Sequence, residues 1–367
     1  MTAGARHLYV HLPFCVHRCG YCDFVTVVGR RESHAPYVDA VIAELALERA
    51  LLADRVETVF VGGGTPTFTA PAELERLLES LPRAAETTVE ATPETVTPEV
   101  AAALRRGDVT RVSLGAQSFR PQLLEVLERR AGADTVRRAF ALLREAGFDN
   151  VSLDLLYGIP GQTPDDLERD LEEALALGPE HVSYYELEAK PGTRFTHAHG
   201  DELVRQAEAM EGYFERVVEA LTAAGYRWYE TANFCRGGDR DLRAHHNLGY
   251  WHGRDYLGLG IGAVSTVAGR RWRNASSLAR YVAALARGAR PPREHETLGD
   301  DVRDRERLLL GLRLDEPLPL AGVGAALDRD ARVRKERLGL AERRGSALTL
   351  TRRGRFLGGA VTAELLA

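Results

Sequence analysis

The chain has 367 residues, of which 44% are hydrophobic and 28% are charged, and this composition is that of a globular protein and excludes a disordered or fibrous one. Its net charge of −5 argues against a general nucleic-acid binder, and no apolar run reaches the roughly 18 residues that a membrane span needs. The first residues lack the apolar segment of a signal peptide, so we expect a cytoplasmic protein with one large domain and a small second unit.

The small numbers of lysines and cysteines argue against several classes of enzyme and scaffold. Lys190 and Lys335 are the only lysines. Pyridoxal-phosphate chemistry and a Walker phosphate loop both require a suitably placed lysine, so both are disfavoured. The four cysteines are too few for a disulfide scaffold in a chain of this length, and three of them fall within eight residues.

Short β-branched segments alternate with amphipathic ones along the first two-thirds of the chain. This alternation, with short connections, predicts an α/β fold with a parallel sheet that is either curved or doubly wound. We favour a curved partial (β/α)6 barrel, whose functional loops follow the carboxyl ends of the strands. The predicted strands are His7–His11, Thr58–Val61, Thr87–Glu90, Arg111–Leu114, Asn150–Leu156 and His181–Leu187.

The remaining chain predicts two further parts. After a helix around Asp201–Ala224, an aromatic and glycine-rich extension covers residues 226–290, so that the barrel would comprise residues 1–225. Pro291, Pro292 and the polar residues that follow indicate a linker. Residues 300–367 predict a small, mainly helical C-terminal domain that weakly resembles a winged helix, with its arginines on a solvated face.

The cysteine cluster follows the first predicted strand. Cys15, Cys19 and Cys22 are spaced so that one loop can wrap three thiolates around a small centre. One alternative is a structural zinc site, which needs a fourth ligand that His11 or His17 could supply. Another alternative is that the three cysteines are buried and bind no metal. A 4Fe-4S cluster is the preferred interpretation, because three thiolates leave one iron open to another ligand.

The spacing Cys-x3-Cys-x2-Cys, with Tyr21 just before the last cysteine, resembles the signature of the radical S-adenosylmethionine superfamily. The resemblance implies that the open iron binds the methionyl amine and carboxylate of S-adenosylmethionine. It also implies that the reduced cluster cleaves the sulfonium to give a 5′-deoxyadenosyl radical.

A glycine triplet, Gly62 to Gly64, ends the second predicted strand and precedes Thr65 and Pro66. Glycines let the backbone approach a ligand and offer N–H groups to a carboxylate, although by itself the triplet is only a tight turn. The resemblance implies that this loop binds the methionine part of the cofactor. The alternative for each polar side chain that the resemblance implies as a contact is that it is hydrogen-bonded inside the barrel and binds no ligand. The implied S-adenosylmethionine contacts are Tyr9, Tyr21, Gly63, Gly64, Thr65, Glu90, Gln117, Arg129 and Asp154.

Longer segments resemble one branch of the superfamily, which holds the oxygen-independent coproporphyrinogen III dehydrogenases and the HemW-type haem chaperones. The segments are residues 9–24, 63–66 and 154–160. The dehydrogenases carry a further cysteine two residues after the third, where this chain has Phe24. The chaperones lack that cysteine and carry a His-Asn-x-x-Tyr-Trp motif, which is intact here from His246 to Trp251.

The resemblance therefore implies haem binding by this motif. His246 is the implied axial ligand, His245 is an adjacent alternative, and the other implied haem contacts are Asn247, Tyr250 and Trp251. Cys235 has no place in the pattern, and we interpret it as a small buried hydrophobic residue.

The preferred function is that of a haem chaperone, which binds haem, a 4Fe-4S cluster and S-adenosylmethionine and passes haem to respiratory proteins through transient docking at the membrane. Two alternatives remain. One is the radical decarboxylation of coproporphyrinogen propionates. The other is a radical enzyme acting on a different porphyrin substrate, such as a haem-degrading methyltransferase.

Overall fold

The computed structural model describes residues 4–188 and 193–367. Strands and helices alternate up to Glu186, and all six predicted strands are present with ends shifted by a few residues at most. The strands of this part are β1 (His7–Leu12), β2 (Phe14–Cys15), β3 (Val27–Val28), β4 (Thr58–Gly63), β5 (Glu86–Ala91), β6 (Arg111–Gln117), β7 (Val151–Tyr157) and β8 (His181–Glu186). The helices are α1 (His34–Glu48), α2 (Pro71–Ser80), α3 (Pro98–Arg106), α4 (Pro121–Val126), α5 (Ala133–Glu145) and α6 (Pro164–Leu177).

The parallel sheet at the centre confirms the predicted fold class. Strands β1, β4, β5, β6, β7 and β8 pair in that order, and every pairing among them is parallel. Side chains alternate between the two faces of each strand. On β4, Val59 and Val61 are fully buried in the main hydrophobic core, whereas Phe60 lies between them on the opposite face and lines the interior of the barrel.

Helix α6 begins with a capping box. The hydroxyl of Thr163 accepts a hydrogen bond from the backbone N–H of Asp166, and the Asp166 carboxylate accepts one from the backbone N–H of Thr163. Pro164 occupies the first helical position, where its missing N–H costs nothing. The helix ends at Gly178, whose left-handed backbone suits glycine.

The predicted helix around 201–224 is instead a pair of helices that begins earlier, with a short turn between its members. From there to residue 297 the elements are α7 (Arg194–Gln206), α8 (Met210–Ala223), β9 (Tyr226–Glu230), β10 (Asn233–Arg236), α9 (His245–Trp251), β11 (Tyr256–Leu259), β12 (Val264–Val267), β13 (Arg270–Asn274), α10 (Leu278–Leu285) and β14 (Arg293–Thr297).

These later strands extend the sheet at both ends. Strand β11 lies parallel to β1 and leads into the antiparallel strands β12, β13 and β14, while β10 and β9 are added antiparallel to β8. The result is one sheet in the order β14-β13-β12-β11-β1-β4-β5-β6-β7-β8-β10-β9. The barrel is therefore open, and its sheet continues as far as Thr297. The segment after Pro292 was predicted to be a linker, but it forms strand β14 because its backbone pairs with β13.

The last part of the chain has a hydrophobic cluster of its own, which includes Leu308, Leu348 and Leu365. Its elements are α11 (Asp300–Gly311), β15 (Leu318–Pro319), α12 (Arg329–Arg337), β16 (Ala341–Arg344), β17 (Ala347–Leu350), α13 (Arg352–Phe356) and α14 (Gly358–Glu364), with β17 between β15 and β16 in a small antiparallel sheet. The division of the chain at residue 300 and the winged-helix likeness stay predictions. None of the described helices has both the length and the apolar character that crossing a bilayer requires.

Candidate functional site

A cavity of about 510 Å³ lies at the carboxyl ends of the parallel strands. The position follows from the topology, because parallel strands present the loops that follow them at one end of the barrel. Most of the residues predicted from sequence line this one cavity. They are Cys15, Cys19, Tyr21, Cys22, Gly63, Gly64, Thr65, Glu90, Gln117, Arg129, Asp154 and Asn247.

The three clustered cysteines differ in their surroundings. Cys15 is buried on β2, where it is paired with Val28 of β3, whereas Cys19 and Cys22 are half-buried in the loop that follows. All are free thiols, and burial raises the pKa of Cys15 to about 11 and also raises the pKa of Cys22. Metal binding at these residues must therefore release protons. Within the described residues, no three His, Cys, Asp or Glu side chains are already gathered around a single metal-ion position.

The surroundings of these thiols fit an iron–sulfur cluster. Three free cysteines face one cavity, and thiolates are the ligands that such clusters use. The guanidinium of Arg129 lies 3.8 Å from Cys19 Sγ, and the hydroxyl of Thr65 donates to Cys15 Sγ at 3.7 Å. Both contacts stabilise negative charge on sulfur, which a cluster ligand must carry.

The glycine loop is held tightly against its neighbours. Gly63 has a φ of +112°, and a Cβ added there would lie 2.4 Å from the ring of His11. A Cβ on Gly64 would lie 2.6 Å from the backbone carbonyl carbon of Pro13. The N–H of Gly63 donates to Glu90 Oε2 at 3.0 Å. Only glycine fits at these positions, and the loop presents bare backbone to the cavity.

Two carboxyl groups lie inside the barrel. Burial, together with the negative charge of Asp154, raises the pKa of Glu90 to about 7, although the hydrogen bond from Gly63 opposes this shift. Asp154 accepts hydrogen bonds from Ser113 at 2.9 and 3.0 Å and from Ser152 at 3.2 Å. The aspartate in the apolar strand thus has the partners that its burial requires.

Sequence reasoning missed several residues that line the cavity. Arg111, Ser113, Ser183 and Tyr185 project into it from β6 and β8. Arg111 is 2% exposed and donates to His181 Nδ1 at 3.2 Å, while no residue in the described part of the chain accepts a hydrogen bond from its Nε. The signal was present in the alternation of each strand, since Arg111 and Ser113 share a face with cavity residues further along β6.

Tyr9 does not line the cavity. Its ring stacks on Phe60 with the centroids 6.2 Å apart, and its hydroxyl lies 3.0 Å from His11 Nδ1. The remaining ring nitrogen of His11 bonds the carbonyl of Val25 at 2.8 Å. Tyr9 therefore supports the wall behind the glycine loop in this structure.

The His-Asn-x-x-Tyr-Trp motif forms most of α9, which closes the opposite, amino-terminal end of the barrel. Glu86, the first residue of β5, accepts hydrogen bonds from the backbone N–H groups of His245 at 2.9 Å and His246 at 3.0 Å. Asn247 alone among the motif's side chains reaches the carboxyl-end cavity. The Trp251 ring lies under the guanidinium of Arg313, 4.5 Å away.

His246 is buried within the barrel. Its Nδ1 lies 2.8 Å from the Thr58 hydroxyl, its Nε2 lies 2.9 Å from the Tyr250 hydroxyl, and its ring stacks on Phe60 with a centroid separation of 5.2 Å. Burial lowers the pKa of His246 to about 3, so the ring is neutral. For iron to bind His246, one of these two hydrogen bonds must break.

A second cavity, of about 650 Å³, lies on the outer side of α9. One wall is formed by residues at the amino ends of the parallel strands. Another is formed by the face of α9 that points away from the barrel. Its lining includes His7, Glu57, Arg105, Arg240, Asp241, Arg243, His245, His252 and Arg254. Helix α9 therefore separates two cavities at opposite ends of the barrel.

Comparison with known proteins agrees with this architecture. The model of the Radical SAM superfamily matches residues 9–174. Among solved structures, coproporphyrinogen III oxidase (HemN) from Escherichia coli superimposes with a TM-score of 0.82 over 98% of this chain and 90% of that chain. The two sequences are 23% identical, so this likeness shows the fold alone.

Curated relatives are more similar in sequence. The heme chaperone HemW of Mycobacterium tuberculosis is 40% identical over 98% of this chain and 94% of its own length. The protein of the same name from Bacillus subtilis is 34% identical over 84% of this chain and 83% of its own length. The one from Escherichia coli is 37% identical over 71% and 70%. The chain belongs to the HemW family of radical S-adenosylmethionine proteins.

Proposed function

We propose that this protein is a haem chaperone that binds haem, one 4Fe-4S cluster and S-adenosylmethionine, and that delivers haem to respiratory proteins. The observation that carries the proposal is the convergence of Cys15, Cys19 and Cys22 with the glycine loop in one cavity, in a chain whose relatives are named heme chaperones. The protein would act in the cytoplasm and dock transiently on acceptors at the membrane.

The cluster would be held by the three cysteine thiolates, with Arg129 and Thr65 stabilising their charge. Gly63, Gly64 and the side chains of Glu90, Gln117 and Asp154 line the same cavity and would hold S-adenosylmethionine. Tyr9 would support the glycine loop from behind. When bound and reduced, the cluster supplies the electron that cleaves the sulfonium of S-adenosylmethionine. A redox partner would reach the cluster from the carboxyl end, where Cys19 and Cys22 are half-buried.

Haem would bind at the α9 segment, whose motif residues are His246, Asn247, Tyr250 and Trp251, with His245 directly before them. Histidine is a common axial ligand of haem iron. The presence of Phe24 where the dehydrogenases carry a further cysteine supports a chaperone over a decarboxylating enzyme. Phe24 is 61% exposed and forms part of the cavity rim.

The test uses the full chain, purified without oxygen and reconstituted with iron and sulfide. Haem is titrated in while the Soret band is followed, and the loaded protein is then mixed with a haem-free respiratory acceptor. We expect saturable haem binding, transfer to the acceptor, and no decarboxylation of coproporphyrinogen in the presence of S-adenosylmethionine and a reductant. Turnover of coproporphyrinogen without haem binding would overturn the proposal in favour of the enzyme.

A further inference from the structure

The last part of the chain carries a concentration of positive charge. Residues 329–355 contain ten arginines and lysines against three aspartates and glutamates, a local net charge of +7 in a chain whose total is −5. This segment comprises α12, the hairpin of β16 and β17, and most of α13. Charge of one sign gathered on a small unit attracts a partner of the opposite sign.

Four of these ten cations are engaged within the protein. Three form the ion pairs Arg332–Glu336, Lys335–Glu364 and Arg344–Glu342. The fourth, Arg355, is partly buried against the ring of Trp228. The other six are exposed, and none of them forms an ion pair with a residue that the structure describes. They are Arg329, Arg334, Arg337, Arg343, Arg352 and Arg353.

The carboxyl end of α12 and the amino end of α13 lie side by side. Gly339 comes just after α12, and its carbonyl oxygen accepts a hydrogen bond from the hydroxyl of Thr351 at 2.7 Å. The backbone N–H of Thr351, the residue before α13, donates to the carbonyl of Leu340 at 3.0 Å. Gly354 packs so closely on Leu340 that an added Cβ would overlap its carbonyl oxygen. The exposed arginines of the two helix ends are therefore neighbours.

Two exposed leucines accompany these arginines. Leu338 is 58% exposed and Leu357 is 39% exposed. Arg334 and Arg353 precede them by four residues, about one helical turn, so each leucine lies beside an arginine. We call Arg334, Arg337, Leu338, Arg353 and Leu357 the basic surface. Arginines around exposed aliphatic side chains suit the interface of a bilayer, where the guanidinium groups meet lipid phosphates and the leucines enter the acyl boundary.

The basic surface is fixed to the barrel through α13. The guanidinium of Arg355 lies over the ring of Trp228 at 3.6 Å and donates to its backbone carbonyl at 2.9 Å. The ring of Phe356 packs against the same indole, with the centroids 5.2 Å apart. Trp228 belongs to β9, the last strand of the large sheet. A partner bound to the basic surface would therefore orient the whole barrel.

We infer that the basic surface docks the protein on a bilayer of anionic phospholipids. The inference rests on the proposed function, which puts the haem acceptors at the membrane, and it specifies the surface that meets the lipid. Nucleic acid is the other common polyanion, but Leu338 and Leu357 gain nothing from a phosphate backbone, whereas a bilayer buries both.

Flotation of the full-length reconstituted protein with unilamellar vesicles tests the inference. Vesicles of phosphatidylcholine with about one-third phosphatidylglycerol are compared with vesicles of phosphatidylcholine alone. We expect binding to the anionic vesicles, and most of it should be lost at about 1 M salt, where the screening length falls to about 3 Å. Replacing Arg334, Arg337 and Arg353 together by glutamine should lower the partition coefficient at least about tenfold. Leu338→Asn should lower it severalfold.

The matched control replaces the same number of exposed arginines, Arg49, Arg280 and Arg287, by glutamine on the side of the molecule near α10. It should bind vesicles as the wild type does. Circular dichroism and iron content verify that each variant is folded. Equal vesicle binding by the wild type and the Arg334, Arg337 and Arg353 variant overturns the inference, and so does equal loss in the control.

Two further measurements separate the possible failures. Binding of duplex DNA or RNA through these three arginines, with no binding to anionic vesicles, overturns the inference in favour of nucleic acid. Haem titration of the same variant should match the wild type, because the basic surface lies outside both cavities. A wild type that binds anionic vesicles through these arginines but binds no haem overturns the proposed function and not the assignment of the basic surface.

Discussion

Glu86 and Glu90 lie four residues apart on the same face of β5, and each accepts hydrogen bonds from the backbone of a different segment. Glu86 accepts from the first two N–H groups of α9, whereas Glu90 accepts from Gly63 in the glycine loop. Four strand residues span about 13 Å. One strand therefore fixes both the helix that closes the amino end of the barrel and the loop at the carboxyl end.

The pH dependence of folding should reveal the raised pKa of Glu90. Its native pKa of about 7 lies above the value of about 4.3 for an unfolded chain. The native state therefore holds a proton that the unfolded state releases, and stability falls as the pH rises from about 4.3 through 7, by about 4 kcal/mol at most. We expect cluster-free Glu90→Gln to be more stable than cluster-free wild type at pH 8, with a much smaller difference at pH 5.

Urea unfolding of both proteins at the two pH values measures this effect. The comparison removes the contribution of Asp170, whose pKa burial raises to about 6 and which has the same sign in both proteins. A stability difference that does not change with pH would show that Glu90 is ionised in the native state.

Loss of the Glu86 carboxylate should loosen α9. Glu86→Ala removes two charge-assisted hydrogen bonds to the backbone of His245 and His246. We expect a loss of about 1–3 kcal/mol in the free energy of unfolding. Hydrogen exchange at these two amides should accelerate, because the local opening of α9 becomes easier. The control is Glu294→Ala on exposed β14, which should change neither quantity appreciably, and unchanged exchange in Glu86→Ala would contradict the anchoring role.

Removal of the hydroxyl should have different effects on the free energy of unfolding at two buried threonines that lie on neighbouring strands. Thr58→Val leaves Nδ1 of His7 and Nδ1 of His246 without the hydroxyl that both contact, at a cost of about 2–4 kcal/mol. The Thr88 hydroxyl is buried and has no hydrogen-bond partner among the described residues, so Thr88→Val should be neutral or stabilising. Chemical denaturation of the two variants side by side measures both effects. Equal losses would refute the assigned hydrogen bonds.

Cluster content should depend on three of the four cysteines. We expect Cys15→Ser, Cys19→Ser and Cys22→Ser each to lose most of the roughly four iron atoms that a cubane cluster carries. Cys235→Ser should keep them, because Cys235 is buried on β10 beside Tyr229 and Leu242. Analysis of iron and sulfide after anaerobic reconstitution measures the cluster content of each variant. A full cluster in any of the first three variants would exclude that residue as a ligand.

Local patterns in the sequence were sufficient to predict the strands of the parallel core. The β-branched segments and the cysteine loop are each encoded within a few consecutive residues, and each lies where it was predicted. The carboxyl-end cavity follows from them, because parallel strands bring Gly63, Glu90 and Asp154 to one end of the barrel.

Features that depend on pairing between distant residues could not be predicted in this way. Strand β11 lies beside β1 although some 250 residues separate them, and no local signal specifies that partner. The burial of His246 depends on Thr58 and Phe60, which precede it by more than 180 residues. The motif itself identified the segment, but only the assembled barrel shows which of its side chains face a cavity.

The separation of the two cavities by α9 determines the directions from which ligands and partner proteins can reach them. The cysteine loop faces one end of the barrel, and the second cavity opens at the other. Under the proposed function, a protein that reduces the cluster would approach one end of the barrel, and a ligand that enters the second cavity would approach the other. Occupation of one end would leave the other accessible.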